Sequence, residues 1–341
     1  MRAVVLVGGF GTRLRPLTLT TPKQMLPVAG RPLIEDVLGH LRDHGVDEVV
    51  LSLGYRPDAF FDAYPDAVCA GVRLVYAVEP EPLDTAGAIA FAAREARIAE
   101  RFLVVNGDVL TDLDVSALTS FHQAAGAEGT IALTRVDDPS HFGVVPTDAN
   151  GRVLAFVEKP PRHEAPTDLI NAGYYVLEAS VLDRIPSGRR VNIERETFPS
   201  MVVDGVLYAR ADDAYWLDVG TAERLLQASL DVIDGRRAGV EPMDGPLVCG
   251  SARVDNGAHV SRSVLGDGCH VRDGAVVEES VLLPGVVVET GAIVRRSVVG
   301  ASAVVSAGSS VLDLSLLGDC VRTEPGATLT GVRVPDPDAV A

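Results

Sequence analysis

The sequence predicts an α/β domain built on a mostly parallel sheet, followed by a parallel β-helix. Over residues 3–135, apolar runs typical of buried strands alternate with segments whose apolar residues recur at helical spacing. Such alternation favours a parallel sheet with helices on both faces. Beyond residue 247, pairs of small residues recur at alternating steps of eleven and six, which is the rhythm of a stacked β-helix.

The elements of the α/β domain begin with an apolar strand at residues 3–7. A helix is predicted at residues 32–44, because a proline lies near its start and Gly45 follows its end. Further strands are predicted at residues 46–53, 72–78, 102–105 and 130–133, and further helices at residues 85–97 and 115–125. Ligands of such sheets bind beyond the carboxyl ends of the strands, where a glycine-rich loop follows the first strand.

From residue 141 onward, the predicted strands follow one another without helices. They are expected at residues 142–145, 152–158 and 170–177, as an antiparallel extension of the sheet. A closing helix at residues 222–233 precedes a polar segment that is rich in glycine and proline. We therefore predict an N-terminal domain over residues 1–235, a linker over 236–246, a β-helix over 247–333 and a tail over 334–341.

The C-terminal repeat has small-residue corners that begin at Gly257, Gly268, Gly274, Gly285 and Gly291. Each step of eleven contains a Ser-Val pair, at residues 263–264, 280–281 and 297–298. β-Branched residues between the corners indicate short strands whose turns stack flat faces on one another. Because such a stack leaves an end to cover, we expect this region to join copies of the chain into a homo-oligomer.

The composition excludes several classes of partner. The 341 residues carry a formal charge of −17, and 47% of them are hydrophobic. A large core can form, whereas nucleic acid and anionic membranes, which need a basic surface, are excluded. The four cysteines are widely spaced, without a Cys-x-x-Cys pair, and no apolar run approaches membrane-spanning length. The sequence therefore predicts a soluble cytoplasmic protein with reduced thiols.

Residues 8–13 read Gly-Gly-Phe-Gly-Thr-Arg directly after the first strand. Small residues let backbone N–H groups approach a ligand, and Arg13, Arg15 and Lys23 bring three cations into one short segment. The P-loop pattern is absent, and Leu14 stands where a dinucleotide fingerprint needs its third glycine. A plain β-to-α turn is disfavoured by the ordered run of cations and prolines. The loop is predicted to bind a triphosphate.

This loop and the run Pro-Lys-Gln-Met-Leu-Pro-Val-Ala-Gly-Arg-Pro-Leu-Ile at residues 22–34 resemble the signature of sugar-1-phosphate nucleotidyltransferases. Within that family the motifs are most similar to those of the mannose-1-phosphate guanylyltransferases, also called GDP-mannose pyrophosphorylases. The resemblance covers nearly the whole chain. It implies a Rossmann-like catalytic domain, a left-handed β-helix of hexapeptide repeats, and Mg²⁺-dependent transfer of a nucleoside monophosphate from an NTP to a sugar 1-phosphate with release of pyrophosphate. GTP and mannose 1-phosphate are the favoured substrates.

Two aspartates are candidate ligands of Mg²⁺, which is usually held by one or two carboxylates together with phosphate oxygens and water. Asp108 follows the predicted strand at residues 102–105, and Asp218 precedes the closing helix. From the residues alone, a turn role for Asp108 and a helix N-cap role for Asp218 are equally compatible. The resemblance implies metal binding, since both aspartates match the family's metal-binding positions.

The resemblance also implies the substrate contacts. Glu158 matches the residue that binds the sugar hydroxyls, Lys159 the one that binds the phosphate, and Gly143 and Asn171 two further sugar-contacting positions. A solvated turn, a strand bulge and an edge-strand polar residue are their structural alternatives. The catalytic set is expected to be Arg13, Lys23, Asp108 and Asp218. The nucleotide is expected to contact Leu6, Gly8, Gly9, Gly11, Thr12, Arg13, Lys23, Glu79 and Gly87.

Residues 79–87 are expected to select the base. Guanine presents two N–H donors on one edge, and a carboxylate has two oxygens to accept them, so Glu79 is the first candidate and Glu81 its rival. Gln24 points the other way, because Pro-Lys-Gln is familiar from thymidylyl relatives, and Asp84 stands where a glycine is frequent. A thymidylyl- or uridylyltransferase for glucose 1-phosphate, or a guanylyltransferase for another sugar or a cyclitol phosphate, remains an alternative.

Two alternatives lie outside this reaction. β-Helices also serve acyltransferases, in which His259 or His270 would be the base, but the repeat array is short and lacks an obvious protruding loop. A catalytically weak regulatory subunit would keep the fold without the activity. The presence of Arg13, Lys23, Asp108, Lys159 and Asp218 disfavours it.

Overall fold

The computed structural model describes residues 1–336, which form two compact units. The first, which we call the sheet unit, comprises Met1–Gly9 and Ile34–Trp216. The second, which we call the β-helix unit, comprises Phe10–Leu33 and the described residues from Leu217 onward. The predicted tail at 334–341 lies partly outside the described residues.

The sheet unit is built on one mixed sheet. Its strands are β1 (Arg2–Leu6), β2 (Glu48–Leu53), β3 (Val68–Cys69), β4 (Val72–Val78), β5 (Phe102–Asn106), β6 (Val109–Thr111), β7 (Gly129–Arg135), β8 (Gly143–Val144), β9 (Val157–Glu158), β10 (Leu169–Leu177) and β11 (Leu207–Ala211). Over the described residues, all but β6 join this sheet, in the order β9-β8-β10-β5-β1-β2-β4-β3, and β7 pairs with both β10 and β11.

The predicted parallel sheet is confirmed for its central strands. β1 pairs in parallel with β2 and β5, and β2 pairs in parallel with β4. Val4, Val50 and Val104 lie in these strands and are fully buried, as their apolar runs predict. The helices of this unit are α1 (Leu33–Asp43), α2 (Asp58–Ala63), α3 (Asp84–Glu95), α4 (Val115–Ala125) and α5 (Phe198–Val203). Alanines of α3 pack against the sheet core.

The antiparallel extension is also present, but one predicted strand is wrong. β10 pairs in antiparallel fashion with β5, β7 and β8. Residues 152–158 do not form one continuous strand: Arg152 makes an isolated bridge with Tyr208, whereas Glu158 pairs with Gly143. The two ends of the segment therefore pair with different strands, and Leu154 between these ends is exposed.

The β-helix predicted for the C-terminal region is confirmed. Its strands are Leu247–Val248, Arg253–Val254, His259–Ser261, Val264–Leu265, His270–Val271, Val276–Glu278, Val281–Leu282, Val287–Val288, Ile293–Arg295, Val298–Val299, Val304–Val305, Ser310–Leu312, Leu316–Leu317, Thr328–Thr330 and Arg333–Val334. They form parallel sheets in which Val264 pairs with Val281 and Val281 with Val298. One eleven-residue step plus one six-residue step thus makes one turn.

The Ser-Val pairs of the repeat have a structural role. Ser263, Ser280 and Ser297 are fully buried, one above the other. The backbone N–H of Ser280 donates to Ser263 Oγ at 3.0 Å, and that of Ser297 donates to Ser280 Oγ at 3.2 Å. A hydroxyl at this position satisfies a buried donor of the next turn, while the following valine fills the interior.

The β-helix unit also contains the loop Phe10–Leu33 and the helix α6 (Ala222–Ile233). Thr20 Oγ1 donates to Asp319 Oδ2 at 2.5 Å, which joins the loop to the β-helix. The backbone N–H of Ala29 donates to Ser229 Oγ of α6 at 3.2 Å. Within residues 1–336, no helix is both long and apolar enough to cross a membrane.

Candidate active site

The carboxyl edge of the parallel strands carries the first set of predicted site residues. Gly8 and Gly9 follow β1, and Asp108 follows β5. β1 and β5 are neighbours in register, with Leu6 opposite Asn106, and the N–H of Gly107 donates to Leu6 O at 3.0 Å. The two glycines and Asp108 therefore lie just beyond the same edge of the sheet.

The carboxylate of Glu79 lies beside this glycine segment. Its Oε1 accepts a hydrogen bond from Ser52 Oγ at 3.0 Å, and its Oε2 accepts one from the N–H of Leu83 at 3.1 Å. A Cβ atom added to Gly8 would lie 3.4 Å from Glu79 Oε1. Glu81, its rival for reading the base, is exposed. The structure thus favours Glu79 over Glu81 as the carboxylate near the loop.

Gly87 has a packing role that accounts for its small size. It lies in α3, and its N–H donates to Val191 O at 3.1 Å. A Cβ atom at this position would lie 3.2 Å from Arg189 O. Asp84, at the start of the same helix, has a left-handed backbone with φ +62. It thus adopts the conformation that glycine, the residue frequent at this position in the family, adopts most easily.

The loop Phe10–Leu33 carries the predicted cations in the β-helix unit. Gly11 has φ +61, and a Cβ atom there would lie 2.9 Å from Thr18 Cγ2 and 3.3 Å from Lys23 Cβ. Thr18 Oγ1 donates to Gly11 O at 2.8 Å and closes the turn. Thr12 and Arg13 follow in a short 3₁₀ turn. The loop thus folds back on itself and brings Lys23 next to Gly11.

Asp218 and Arg13 flank the same glycine. A Cβ atom added to Gly220 would lie 2.5 Å from Arg13 Nη2 and 2.8 Å from Asp218 Oδ1. The N-cap of α6 is Thr221, whose Oγ1 accepts from the N–H of Arg224 at 3.2 Å. The helix-cap alternative for Asp218 is therefore wrong, and its carboxylate lies near the guanidinium of Arg13 instead.

The predicted sugar-phosphate residues form one cluster in the sheet unit. Gly143 of β8 pairs with Glu158 of β9, and a Cβ atom on Gly143 would lie 2.5 Å from the Phe156 ring and 3.3 Å from Glu158 Oε2. Lys159 Nζ lies 3.2 Å from Glu158 Oε1. Lys159 has a left-handed backbone with φ +49, which is costly for a non-glycine residue and is typical of functional sites.

Asn171 of β10 joins this cluster through a residue that the sequence did not single out. Its Nδ2 donates to Glu194 Oε1 and to Tyr175 Oη, each at 2.9 Å. Burial, together with the neighbouring charge of Glu158, raises the pKa of Glu194 to about 7. The segment around Glu194 has no helical or strand period, so only its polar composition could have indicated a site.

The side chains that could act as ligands indicate which kind of metal ion they could hold. Among residues 1–336, no three His, Cys, Asp or Glu side chains are grouped as a preformed metal centre. The two candidate carboxylates are Asp108, in the sheet unit, and Asp218, in the β-helix unit. Carboxylate oxygens are hard ligands, and one or two of them are enough for Mg²⁺, because this ion completes its coordination with substrate phosphates and water.

Comparison with family models and known proteins identifies the family to which the chain is similar. The Nucleotidyl transferase model matches residues 2–235, and the GMPPB C-terminal domain model matches residues 244–339. Mannose-1-phosphate guanylyltransferase of Mycobacterium tuberculosis is 46% identical over 235 residues, which cover 68% of this chain and 65% of that protein. Mannose-1-phosphate guanylyltransferase catalytic subunit beta of Drosophila melanogaster is 40% identical over 272 residues, which cover 79% of this chain and 72% of that protein.

A solved structure agrees with these matches. HddC from Yersinia pseudotuberculosis, in its complex with GMP-PN, superimposes with a TM-score of 0.57 at 29% identity. The match covers 67% of this chain and 97% of that one. The resemblance predicted from the N-terminal motifs is confirmed, and the chain belongs to the nucleotidyl transferase family.

Proposed function

We propose that this protein transfers GMP from GTP to mannose 1-phosphate, forming GDP-mannose and releasing pyrophosphate. The observation that carries the proposal is the assembled cluster of Gly143, Glu158, Lys159 and Asn171. The cluster occurs in a chain whose relatives bear the name mannose-1-phosphate guanylyltransferase. The complex of HddC with GMP-PN supports guanine as the base.

The reaction needs no protein nucleophile. A phosphate oxygen of mannose 1-phosphate attacks the α-phosphorus of GTP, a new P–O bond forms, and the bond to the bridging oxygen breaks so that pyrophosphate leaves in line. Lys159 holds the attacking phosphate, while Arg13 and Lys23 neutralise the triphosphate. Enzymes of this family generally use a divalent metal. When bound, Mg²⁺ adds positive charge at the phosphates, and the ligands assigned to it are Asp108 and Asp218.

Guanine selection is assigned to Glu79. Both of its oxygens already accept a hydrogen bond from the protein, which fixes the carboxylate beside Gly8. Each carboxylate oxygen can accept a second bond, so the two donors on the edge of guanine can still be paired. Thymine and uracil present one N–H between two carbonyls and match this acceptor less well.

Pyrophosphate release by the purified protein with Mg²⁺ tests the proposal. GTP, dTTP, UTP, ATP and CTP are crossed with mannose 1-phosphate and glucose 1-phosphate, and the highest rate is expected for GTP with mannose 1-phosphate. Asp108→Ala should abolish release, whereas Asp62→Ala, at an exposed position in α2, should leave it unchanged. Preference for dTTP or UTP would refute the guanine assignment and favour the thymidylyl or uridylyl alternative that Gln24 supports.

A further inference from the structure

Glu194 is held in a fixed position by the elements around it. It lies in a π-helical turn, Ile193–Thr197, whose first residues are capped by Asn192. Asn192 Oδ1 accepts from the N–H groups of Glu194 and Arg195, each at 3.0 Å. Asn192 Nδ2 in turn donates to Asp84 Oδ1 at 3.1 Å, which fastens the turn to the start of α3.

Asn171 uses both of its amide protons on protein partners. One is donated to Glu194 Oε1 and the other to Tyr175 Oη, while its Oδ1 accepts from the N–H of Gly173 at 2.9 Å. A side-chain amide has two N–H donors, so Asn171 has none left for a sugar hydroxyl. Asn171 instead holds the carboxyl of Glu194 through Oε1 and does not bond its Oε2.

The surroundings of Glu194 bias its protonation. Glu158 and Lys159 face it from the end of β9, and Tyr175, which burial keeps neutral by raising its pKa, faces it from β10. Burial and the charge of Glu158 raise the pKa of Glu194 to about 7, while Asn171 and Lys159 act in the opposite direction. The carboxyl of Glu194 therefore holds a proton more readily than an ordinary glutamate does, and it lies next to the carboxyl of Glu158.

We propose that Glu194 is a specificity-determining residue of the sugar subsite, which acts with Glu158 as a pair of carboxyls that bind adjacent hydroxyls of the hexose. This rests on the proposed function. When Glu194 is protonated, its carboxyl presents an O–H donor beside the acceptor oxygens of Glu158, which suits a vicinal diol whose hydroxyls both donate and accept. Asn171 is then a positioning residue for Glu194.

Glu194→Gln and Glu194→Ala test this inference, with Glu196→Gln as the matched control from the same turn. Glu196 is exposed and bonded to Arg189. We expect Glu194→Ala to lower kcat/KM for mannose 1-phosphate by about tenfold or more, as loss of a buried polar contact to a substrate does. The KM for GTP should change less than about twofold, because none of the residues predicted to contact the nucleotide lies in this turn.

The glutamine variant gives a readout that a structural role would not produce. A glutamine both donates and accepts but does not titrate, so it mimics protonated Glu194. The ratio of wild-type to Glu194→Gln kcat/KM for the sugar phosphate should fall as pH rises from 6 to 8, because wild-type Glu194 ionises through about pH 7. The ratio cancels the titration of the substrate's own phosphate.

Two results would overturn the inference: a pH-independent ratio, or an equal effect of the variants on GTP and on the sugar phosphate. The wild-type substrate survey is run first, and the variants are then assayed with whichever pair is active, so a wrong substrate assignment is recognised separately. Isothermal titration with mannose 1-phosphate gives a second readout without turnover. There, unchanged binding by Glu194→Ala would also contradict the inference.

Discussion

At the scale of single residues, close packing limits which side chains fit among the predicted sugar-phosphate residues. Gly143 is small because the Phe156 ring and the Glu158 carboxylate occupy the volume that a side chain would need. Gly107 and Gly87 are constrained in a similar way by strands and backbone next to them. At these three positions a glycine therefore permits close packing rather than supplies flexibility.

Gly143→Ala should damage the sugar subsite. The new methyl must displace the Phe156 ring or Glu158, so we expect about 1–3 kcal/mol of destabilisation and about a tenfold rise in KM for the sugar phosphate. Gly39→Ala is the control, because a Cβ atom there has no atom within 4 Å and the residue lies inside α1. That variant should be neutral or up to about 1 kcal/mol more stable. Thermal unfolding and steady-state kinetics measure both, and equal KM values in the two variants would contradict the expectation.

At the scale of elements, the triphosphate loop is supported by the β-helix. Thr20 donates to Asp319, and Pro16 lies so close to Gly318 that a Cβ atom on this glycine would come within 3.1 Å of Pro16 Cγ. The loop that carries Arg13 and Lys23 therefore belongs to the same compact unit as the C-terminal repeat. The β-helix thus helps to hold the loop whose cations are proposed to bind the triphosphate, in addition to the assembly role predicted from sequence.

Thr20→Val should weaken nucleotide binding without affecting the sugar phosphate. It removes the hydrogen bond to Asp319 Oδ2 but leaves the bond that Asp319 Oδ1 accepts from the N–H of Ala301 at 2.8 Å. A single hydrogen bond to a charged group contributes about 1.5–3 kcal/mol, discounted here because Thr20 is exposed. We expect a KM for GTP raised about three- to tenfold. Thr328→Val, at an exposed strand position, is the control, and a parallel rise in both substrates' KM values would point to general unfolding.

At the scale of the whole molecule, the first turn of the β-helix carries exposed apolar side chains. Val248 and Val254, in the first turn, are 45% and 39% exposed. Their strands lie at the edges of two of the parallel sheets, and edge strands with exposed apolar side chains favour pairing with another chain. The predicted homo-oligomer is therefore proposed to form through this turn.

Light scattering tests the proposed assembly. The wild-type protein should have a mass that is a multiple of the monomer, and Val254→Asp should shift it towards the monomer, because a buried carboxylate opposes association. Val203→Asp is the control, since Val203 is 86% exposed in the sheet unit. A monomeric wild-type protein, or the same mass for both variants, would refute assembly through this turn.

The sequence alone determined the order of the elements, the glycine loop, the pairing of a catalytic domain with a β-helix, and the repeat that becomes one turn of that helix. Each depends on local periodicity or on adjacent residue types, which report backbone conformation and burial directly. For this reason the strand at Val72–Val78 and the helices at Val115–Ala125 and Ala222–Ile233 have the predicted bounds.

Only the tertiary structure decided the contacts between distant segments. Asn171 meets Glu194 across 23 residues, and Thr20 meets Asp319 across 299. The segment at 152–158 is divided between two strand partners, and β11 joins the sheet beside β7 although no strand was predicted there. A polar side chain can pair with any complementary group that the fold brings near it, and the local sequence does not specify which one does so.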